Sequence, residues 1–525
     1  MAKRNAKLEF QINRVKGFLS ALRRSKRGMF GVAILLVAVI VAIAAPWLGP
    51  NDPIQGVNLA GTLAQPSWMR YLPGGQGLTL NTVPVNESAL LQGTGLGAFN
   101  ITVTPSSPNV VIQHSTFGYD KNGSGCIAII YDGDNLPINS SLTVTISRTF
   151  YYPYSGVPGE MIYDYTTLLM SKLEGVGVSP TLFLRQNWLS FVSPGVYSFK
   201  TATFQFGQNL QQGYLQLPTT FTADNFTGFY ATAAKVSWQS PLALTPLASQ
   251  GSNLDQLKAL FPQAGSYTFG ATVTIKKLSS TGEAIIYVDG LTLNLKGSSF
   301  GLLGTDLLGR DVFSQLVWGT RISLYVGLVS AVLSVVIGLM VGLVAAYVGG
   351  VVDEVMMRFT DALLVLPGLP LMIVLITILA AGQYNLNIFI IIIGFMGWMG
   401  FARVVRSQVL SLKERPYVEA AKAVGAGTPY ILVRHILPNV VTLIYVTLAL
   451  SVPSAIVTEA AFSFLGFIDI HNMSWGRMLN EILTRPEIWW VVVPPGLAIA
   501  ILSLSFILLG YALDEILNPR LRMRR

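Results

Sequence analysis

Few of the residue types that carry out chemistry stand close together in this sequence. It has one cysteine, Cys126, and its three histidines, His114, His435 and His471, lie far apart. No cluster of His, Asp and Glu has the spacing of metal ligands, so no metal site is predicted. The phosphate-binding pattern Gly-x-x-x-x-Gly-Lys-Ser/Thr does not occur either. The sequence therefore predicts no catalytic residues and no cofactor held by this chain.

The polar segment best suited to act on another molecule is Tyr417–Asn439, YVEAAKAVGAGTPYILVRHILPN, which lies between two apolar runs. Pro416 suits the first turn of a short helix that continues over Tyr417–Val424. Gly425 or Gly427 can supply the left-handed residue that ends such a helix. We therefore expect a short helix followed by a glycine hinge.

A second short helix is expected after the hinge. Thr428 and Pro429 suit its N-cap and its first position, and Pro438 would mark its end. The alanines of the first helix would let another surface approach its backbone closely, and Glu419 offers a carboxylate to a basic partner. The segment is thus either a recognition surface or a plain connection between membrane spans.

Membrane helices are the elements that must position this segment. Hydrophobic residues make up 51% of the chain and charged residues 12%, and the mean hydropathy is +0.53, a composition typical of membrane proteins. Several runs reach the length of about 20 residues that a bilayer requires. The runs are Met29–Leu48, Ile322–Val348, Ala362–Ala381, Asn387–Ala402 with a continuation towards Leu412, Val440–Phe462 and Ile488–Leu513.

Basic residues crowd both ends of the chain beside these runs. They are Lys3, Arg4, Lys7, Arg14, Lys16, Arg23, Arg24, Lys26 and Arg27 at one end and Arg520, Arg522, Arg524 and Arg525 at the other. The positive-inside rule makes both ends cytoplasmic, in agreement with an even number of spans. Nucleic-acid binding is not expected, because no aromatic residues alternate with these charges. The first run also resembles a cleavable signal, but its long basic flank favours an uncleaved anchor.

Residues 51–300 have a different composition, rich in Gly, Ser, Thr, Asn and Tyr. Alternating runs over Ser141–Tyr152, Gly195–Phe206 and Ser266–Lys277 predict strands. Thr281–Gly297, with Asp289-Gly290 at its centre, predicts a hairpin. This region is long enough for a core of its own. We expect a mostly-β domain that the topology places outside the cell.

Helices and modification sites are also predicted in this region. The expected helices cover Gly159–Leu173 and Asn253–Phe261. Asn-x-Ser/Thr patterns mark candidate glycosylation sites and would make the chain a glycoprotein. These asparagines are Asn86, Asn100, Asn122, Asn139, Asn225 and, in the loop after the fifth span, Asn472.

The polar segment also carries a recognisable spacing. Glu419-Ala420-Ala421 is followed by Gly425 and further on by Leu437-Pro438. This pattern resembles the coupling loop, or EAA loop, of ABC importer permeases. The order His435, Ile436, Leu437, Pro438 is similar to the oligopeptide/dipeptide branch of that family.

Other segments are similar to the second, "C"-type permease subunit of the same branch. They are Gly304–Leu324, Met356–Pro370, Glu459–Phe467, Ser474–Glu481 and Leu517–Arg522. The resemblance covers residues 26–53 and 301–525, whereas typical members have only a short connection in place of residues 51–300. It implies a membrane all-α fold, a six-span type I ABC importer permease, with a β-rich extracellular domain inserted.

The domain boundaries expected from this resemblance follow the chain. A basic cytoplasmic N-terminus occupies residues 1–28, the first transmembrane helix 29–48, and the extracellular insertion 51–300. A five-span permease core occupies 301–513, with the cytoplasmic coupling loop at 413–438. A basic cytoplasmic tail covers 514–525.

The resemblance also implies partners in the cell membrane. These are a homologous second permease subunit, two ABC ATPase subunits that bind ATP and Mg, and an extracellular solute-binding protein. In this family the coupling loop docks into a groove of the ATPase, and the permease is not itself an enzyme. The residues expected to couple are Tyr417, Glu419, Ala420, Ala421, Gly425, Arg434, Leu437 and Pro438.

Charged residues at the outer mouth have two interpretations. Asp306, Arg310, Asp311 and Arg321 precede or begin the second span. They form either an ion-paired cap that sets the angle of the helix or a gate that exchanges partners. Glu459 would cost about 2.5 kcal/mol or more if it faced lipid. It is therefore expected either to be paired structurally or to face the substrate passage.

One further ion pair is predicted between Arg358 and Asp361, which lie three residues apart. The function predicted from all these features is half of the translocation pathway of an ATP-driven importer for di- or oligopeptides. The alternatives are the same machinery importing oligosaccharides, or a membrane-anchored extracellular receptor or adhesin. The insertion would act as a docking platform for the binding protein, a shield, or a contributor to substrate capture.

Overall fold

A computed structural model of the chain describes residues 20–86, 95–115, 126–170, 176–186, 196–199, 230–233, 236–237, 258, 260–280, 282–380, 385–467, 471–483 and 488–517. The chain forms two compact units. The helical unit comprises Met1–Val57 and Arg310–Arg525, and the β unit comprises Asn58–Gly309.

The described part of the β unit is built from antiparallel strands in two sheets and one short parallel pair. The strands are β1 (Gln65–Pro66), β2 (Thr82–Val85), β3 (Asn100–Thr104), β4 (Val110–Ser115), β5 (Cys126–Asp132), β6 (Ser141–Tyr152), β7 (Glu160–Met170), β8 (Val176–Gln186), β9 (Val196–Phe199), β10 (Tyr230–Ala233), β11 (Val236–Ser237), β12 (Gly265–Lys277), β13 (Glu283–Lys296) and β14 (Ser299–Phe300). One sheet has the order β10-β7-β13-β5-β4, with β11 on β7 and β2 on β13. The other has the order β3-β6-β12-β8-β9, and β1 pairs with β14.

The two sheets share one hydrophobic core. Ile129 of β5 and Ile286 of β13 belong to the first sheet, and Val144 of β6 and Val273 of β12 belong to the second. All four side chains are completely buried. In β6 and β12 the buried residues mostly alternate with half-buried ones, as in a sheet with one face covered. The strands expected at Ser141–Tyr152 and Ser266–Lys277 are therefore present.

Two expectations for the β unit are wrong. The segment expected to be a helix over Gly159–Leu173 contains β7, because Thr, Tyr and Ile residues favour strands and β13 pairs along its length. The predicted hairpin centred on Asp289-Gly290 is one strand, β13. Its pairing with β7 shifts register between Asp289 and Thr292, so the Asp-Gly pair lies at a bulge instead of a turn.

Two other expectations are tested only in part. Of Gly195–Phe206, β9 is described and the remainder lies outside the described residues. Most of the helix expected at Asn253–Phe261 lies outside them as well.

The helical unit contains helices α1 to α10 in its described part. They are α1 (Lys26–Leu48), α2 (Val312–Val348), α3 (Gly350–Val365), α4 (Gly368–Ala380), α5 (Leu386–Lys413), α6 (Pro416–Ala423), α7 (Thr428–Ile431), α8 (Leu437–Phe464), α9 (Trp475–Asn480) and α10 (Trp489–Leu517). Among the described residues, 5 helices are long and apolar enough to cross a membrane, where α7 and α8 count as one helix. The number rises to 6 if α3 and α4 form one bent span.

The run Ala362–Ala381 is not one straight helix. It is interrupted after Val365, and the axes of α3 and α4 differ by 94°. Pro367 stands in the break, where a proline restricts the residue before it to extended conformations. Leu366 is accordingly extended, with ψ of 135°.

Helices α2 and α5 pack with their backbones close together. A Cβ atom at Gly338 would lie 2.7 Å from the Trp398 carbonyl oxygen, so only glycine fits this crossing. The Ser334 hydroxyl donates a hydrogen bond of 2.8 Å to the Gly394 carbonyl. Small residues and hydroxyl hydrogen bonds are typical of helix packing in membranes. This pair forms the rigid support from which the polar segment extends.

Candidate functional site

The polar segment at residues 414–438, named here the coupling segment, begins where α5 ends. Helix α6 starts at Pro416 and ends at Ala423, as the proline and the alanines predict. Gly425 has φ of +86°, and its N–H donates a hydrogen bond of 2.9 Å to the Lys422 carbonyl. The left-handed glycine therefore ends α6 and turns the chain.

The second half of the coupling segment differs from the expectation. Gly427, not Thr428, is the N-cap of α7. The helix does not end before Pro438. It passes through a π-helical turn at Leu432–Ile436 directly into α8. Pro438 is the second residue of α8 and directly follows this π turn.

Three apolar side chains fasten the coupling segment to the helical unit. Val418 of α6, Ile431 of α7 and Ile436 of the π turn are 0%, 1% and 0% exposed. They join one hydrophobic cluster with Val405 and Val409 of α5. The segment is therefore docked against α5 and not free to swing independently.

The opposite face of the coupling segment is exposed. Glu419 and Ala420 are exposed, and Ala421 is half-buried. Tyr430 and Val433 are 57% and 65% exposed. Exposed apolar side chains beside a carboxylate are typical of a surface that another protein covers.

Aromatic contacts hold the two short helices together. The His435 ring lies 6.2 Å from the Tyr417 ring and 5.8 Å from the Tyr430 ring. The Asn439 amide donates a hydrogen bond of 2.7 Å to the His435 carbonyl. Sequence reasoning used His435 only as a family marker and missed this bridging role. The two tyrosines spaced around a histidine are the signal that indicates it.

The remaining expected coupling residues occupy distinct positions. Arg434 is exposed in the π turn, and Pro438 is exposed at the start of α8. Leu437 is half-buried and packs against the hydrophobic cluster. The coupling residues therefore share one segment, with Arg434 exposed and Leu437 packed inward.

Ion pairs connect the helices near the coupling segment. The Arg406 guanidinium donates two hydrogen bonds of 2.6 Å to the Asp353 carboxylate, and Arg403 pairs with Asp361. The predicted pair between Arg358 and Asp361 is wrong. Arg358 instead lies 3.8 Å from Glu354, one turn earlier on the same helix face.

The structure describes contacts for three of the charged residues expected at the outer mouth. Asp311 is the N-cap of α2, and its carboxylate accepts hydrogen bonds from the Ser314 hydroxyl at 2.6 Å and the Asn51 amide at 3.1 Å. Arg310 pairs with Glu481 at 3.3 Å. Asp306 belongs to the β unit, where its carboxylate accepts a hydrogen bond from the Leu308 N–H.

Arg321 lies in a cleft of about 550 Å³ in the helical unit. Its guanidinium carbon is 5.2 Å from the centroid of the Trp318 ring. Asp52 also lines the cleft. Hydrogen bonds from the backbone of Gln55 and Ile54 hold the pKa of the Asp52 carboxyl below its ordinary value. The cleft thus presents a cation and an anion.

Glu459 of α8 is 3% exposed. Its Oε1 atom accepts a hydrogen bond of 2.8 Å from the Ser463 hydroxyl. The Glu459 carboxyl is therefore paired with a neutral hydroxyl group.

The candidate glycosylation sites differ in accessibility. Asn86, Asn100 and Asn139 are exposed, and Asn472 is half-buried. Asn122 and Asn225 lie outside the described residues.

Two protein families match parts of this chain. Residues 297–523 match the family described as "Binding-protein-dependent transport system inner membrane component". Residues 14–66 match the "N-terminal TM domain of oligopeptide transport permease C".

Three relatives extend this match. The chain is 41% identical over 234 residues to the dipeptide transport system permease protein DppC of Bacillus subtilis, covering 44% of this chain and 72% of the relative. It is 40% identical to the oligopeptide permease OppC of the same organism, covering 42% of this chain and 72% of that protein. It is 40% identical to the glutathione permease GsiD of Pectobacterium atrosepticum, covering 46% of this chain and 79% of that one.

Among solved structures, the MetNI methionine ABC transporter is similar with a TM-score of 0.33 and 19% identity, over 38% of this chain and 94% of that chain. The helices and the matched family define a permease of a binding-protein-dependent ABC importer. The chain belongs to the oligopeptide/dipeptide branch of that permease family.

Proposed function

We propose that this chain is one permease subunit of an ATP-driven peptide importer and forms half of its translocation pathway. The permeases that it resembles are named for the transport of dipeptides, oligopeptides and glutathione. The complete transporter would contain a homologous second permease, two ATPase subunits that bind ATP and Mg, and an extracellular solute-binding protein. The bilayer would surround α1, α2, α5, α8 and α10, with α3 and α4 as one broken sixth span.

The observation that carries this proposal is the coupling segment. It is fastened to α5 through Val418, Ile431 and Ile436 while Glu419 and Tyr430 remain exposed. A partner that moved the exposed face would therefore move α5 and α8 as well. Such a two-state change turns ATP-driven closure of the ATPases into an inward-to-outward change of the pathway.

Copurification with the ATPase subunits tests the proposal. Glu419→Lys reverses the only acidic charge on α6 and should abolish copurification and substrate-stimulated ATP hydrolysis. Glu354→Lys makes the same charge change at an exposed side chain of α3, outside the coupling segment, and is the control. Full coupling in the Glu419 variant would refute the role of this face. Failure of the wild-type chain to retain any ATPase would favour a membrane-anchored receptor.

The proposed orientation places both termini in the cytoplasm and the β unit outside the cell membrane. The basic ends and the even span count support it. With Cys126 replaced, a single cysteine at Ser141 should react with an impermeant reagent in intact cells. A cysteine at Val424, which is 88% exposed on the coupling segment, should not react. The reverse pattern would overturn the topology.

We propose that the β unit is a docking platform for the solute-binding protein. It is the largest part of the chain outside the residues that match the two permease families, and delivery requires a specific outer surface. Replacing residues 61–298 with a Gly/Ser linker leaves the helices joined by a flexible connection. We expect unchanged assembly and basal ATP hydrolysis but weakened binding-protein association. Native association in the shortened chain would instead support a shield.

A further inference from the structure

One carboxylate oxygen of Glu459, Oε2, accepts no hydrogen bond from the described residues. Oε1 accepts the hydrogen bond from Ser463. The Ser474 hydroxyl also lies near the carboxyl, but no described protein group reaches the buried Oε2 atom within 3.5 Å. Buried polar atoms are almost always partnered by protein or by ordered water. The unused oxygen therefore indicates an occupant that completes the site.

A small cavity adjoins this carboxyl. Its polar lining consists of Glu459, Ser463, Asn472 and Ser474. Phe467 and apolar side chains of α2 and α5 form the rest of the lining. Its volume of about 10 Å³ matches the roughly 10–15 Å³ that one water molecule needs. The site is therefore polar and large enough for one water.

No basic side chain lines the cavity in the described part of the chain. On α2, Arg321 stacks on Trp318. At the other side, Arg477 of α9 donates a hydrogen bond of 3.2 Å to the Asn472 carbonyl, and Arg310 pairs with Glu481.

In the part of the chain that the structure describes, the other packed helices supply no counter-ion to Glu459. Glu459 is the only charged residue within α8, and the arginines of α5, Arg403 and Arg406, pair with carboxylates of α3. A buried carboxylate without a counter-ion is unfavourable and neutralises by taking up a proton.

We propose that Glu459 is a proton-binding site whose neutral carboxylic acid holds one ordered water in this cavity. The carboxylate takes one proton from solvent, and the resulting Oε2–H donates a hydrogen bond to the water. Oxygens of Asn472 and Ser474 accept the hydrogen bonds of the water. Because Ser474 is also the N-cap of α9, the proton and the water together attach α9 to α8.

Infrared spectroscopy of the full chain in nanodiscs tests this assignment. Wild type at neutral pH should show a protonated-carboxyl band that moves on ¹³C-glutamate labelling and disappears in Glu459→Gln. Glu481→Gln is the matched control, because Glu481 is paired with Arg310 and should contribute no such band. Ser463→Ala removes the hydrogen bond to Oε1 and should move the band to higher frequency, which keeps the test available if Glu459→Gln cannot be purified.

Thermal unfolding provides the second measurement. Glu459→Gln keeps a neutral group of the same shape and should leave the melting temperature unchanged. Glu481→Gln removes the negative charge that pairs with Arg310 and should lower the melting temperature. Absence of the carboxyl band, or equal destabilisation by both variants, would overturn the proposal. A sodium-dependent rise in melting temperature that Glu459→Gln abolishes would also overturn it, because the site would then hold a metal cation instead of a proton.

Discussion

The Arg406 guanidinium on α5 donates two hydrogen bonds of 2.6 Å each to the Asp353 carboxylate on α3. The two side chains retain 35% and 15% exposure, so solvent screens the pair only in part. A planar guanidinium can make both bonds at once, and an ammonium group cannot. The pair therefore fixes the position of α3 against α5, next to the coupling segment.

Replacing Arg406 with Lys tests this attachment. We expect a loss of about 1 kcal/mol of stability, since one of two charge-assisted hydrogen bonds is lost. Arg358→Lys is the control, because its pair with Glu354 is more than two-thirds exposed and should contribute little. The melting temperatures of the two variants in detergent check the prediction, and equal values would contradict it.

The glycine hinge yields a prediction with a close control. Gly425→Ala meets open space but forces a residue with a Cβ atom to adopt φ of +86°. The strain amounts to about 1–2 kcal/mol. Gly427→Ala also meets nothing closer than 4.0 Å, and its φ of −68° suits any residue. Substrate-stimulated ATP hydrolysis in the assembled transporter should fall for the first variant and remain normal for the second.

The anchor residues of the coupling segment provide a third prediction. Val418→Ala removes two methyl groups from a fully buried side chain and should cost about 2 kcal/mol. Val424→Ala removes the same atoms from a side chain that is 88% exposed. Limited proteolysis at the coupling segment should accelerate in the Val418 variant alone. Equal cleavage of both variants would mean that α6 is not held by this contact.

A buried carboxyl in the β unit predicts a pH dependence. Burial raises the pKa of Glu160 above its ordinary value of 4.5, although Lys296 opposite acts to lower it. The folded state therefore holds this proton more tightly than the unfolded state. The stability that the tighter proton binding by Glu160 contributes is complete at pH values below the ordinary pKa. It is lost as the pH rises through the raised pKa of the folded state.

Amide hydrogen exchange of β7 and β13 measures this effect. Corrected for intrinsic rates, exchange should accelerate above pH 4.5 in wild type and much less in Glu160→Gln. Glu283→Gln, at the exposed start of β13, is the control and should behave like wild type. A wild-type protection that rises over the same pH range would contradict the prediction.

The parts that sequence reasoning predicted correctly depend on local signals. Pro416 and Gly425 bound α6 because proline and glycine restrict or extend backbone freedom at a single residue. The strand β6 was predicted by alternation alone. Such features require no knowledge of what packs against them.

The errors arose where long-range partners decide the structure. Asp289-Gly290 usually marks a turn, but β7 pairs on both sides of it and keeps the chain straight. Asp361 was assigned to Arg358 by spacing, whereas Arg403 on another helix reaches it. The anchoring of Val418 and the unused oxygen of Glu459 likewise depend on neighbours far away in the sequence.

The uninterrupted helix from Thr428 to Phe464 has a mechanical consequence. Its 37 residues form a rod about 55 Å long at 1.5 Å per residue. The π turn at Leu432–Ile436 places one additional residue in this rod, which rotates everything before it by about 100° relative to everything after it. That single residue therefore sets the direction in which the exposed Tyr430 side chain points relative to Glu459. Deleting the additional residue of the π turn would leave one continuous helix, but it would rotate the face that carries Tyr430 by about 100° relative to the face that carries Glu459.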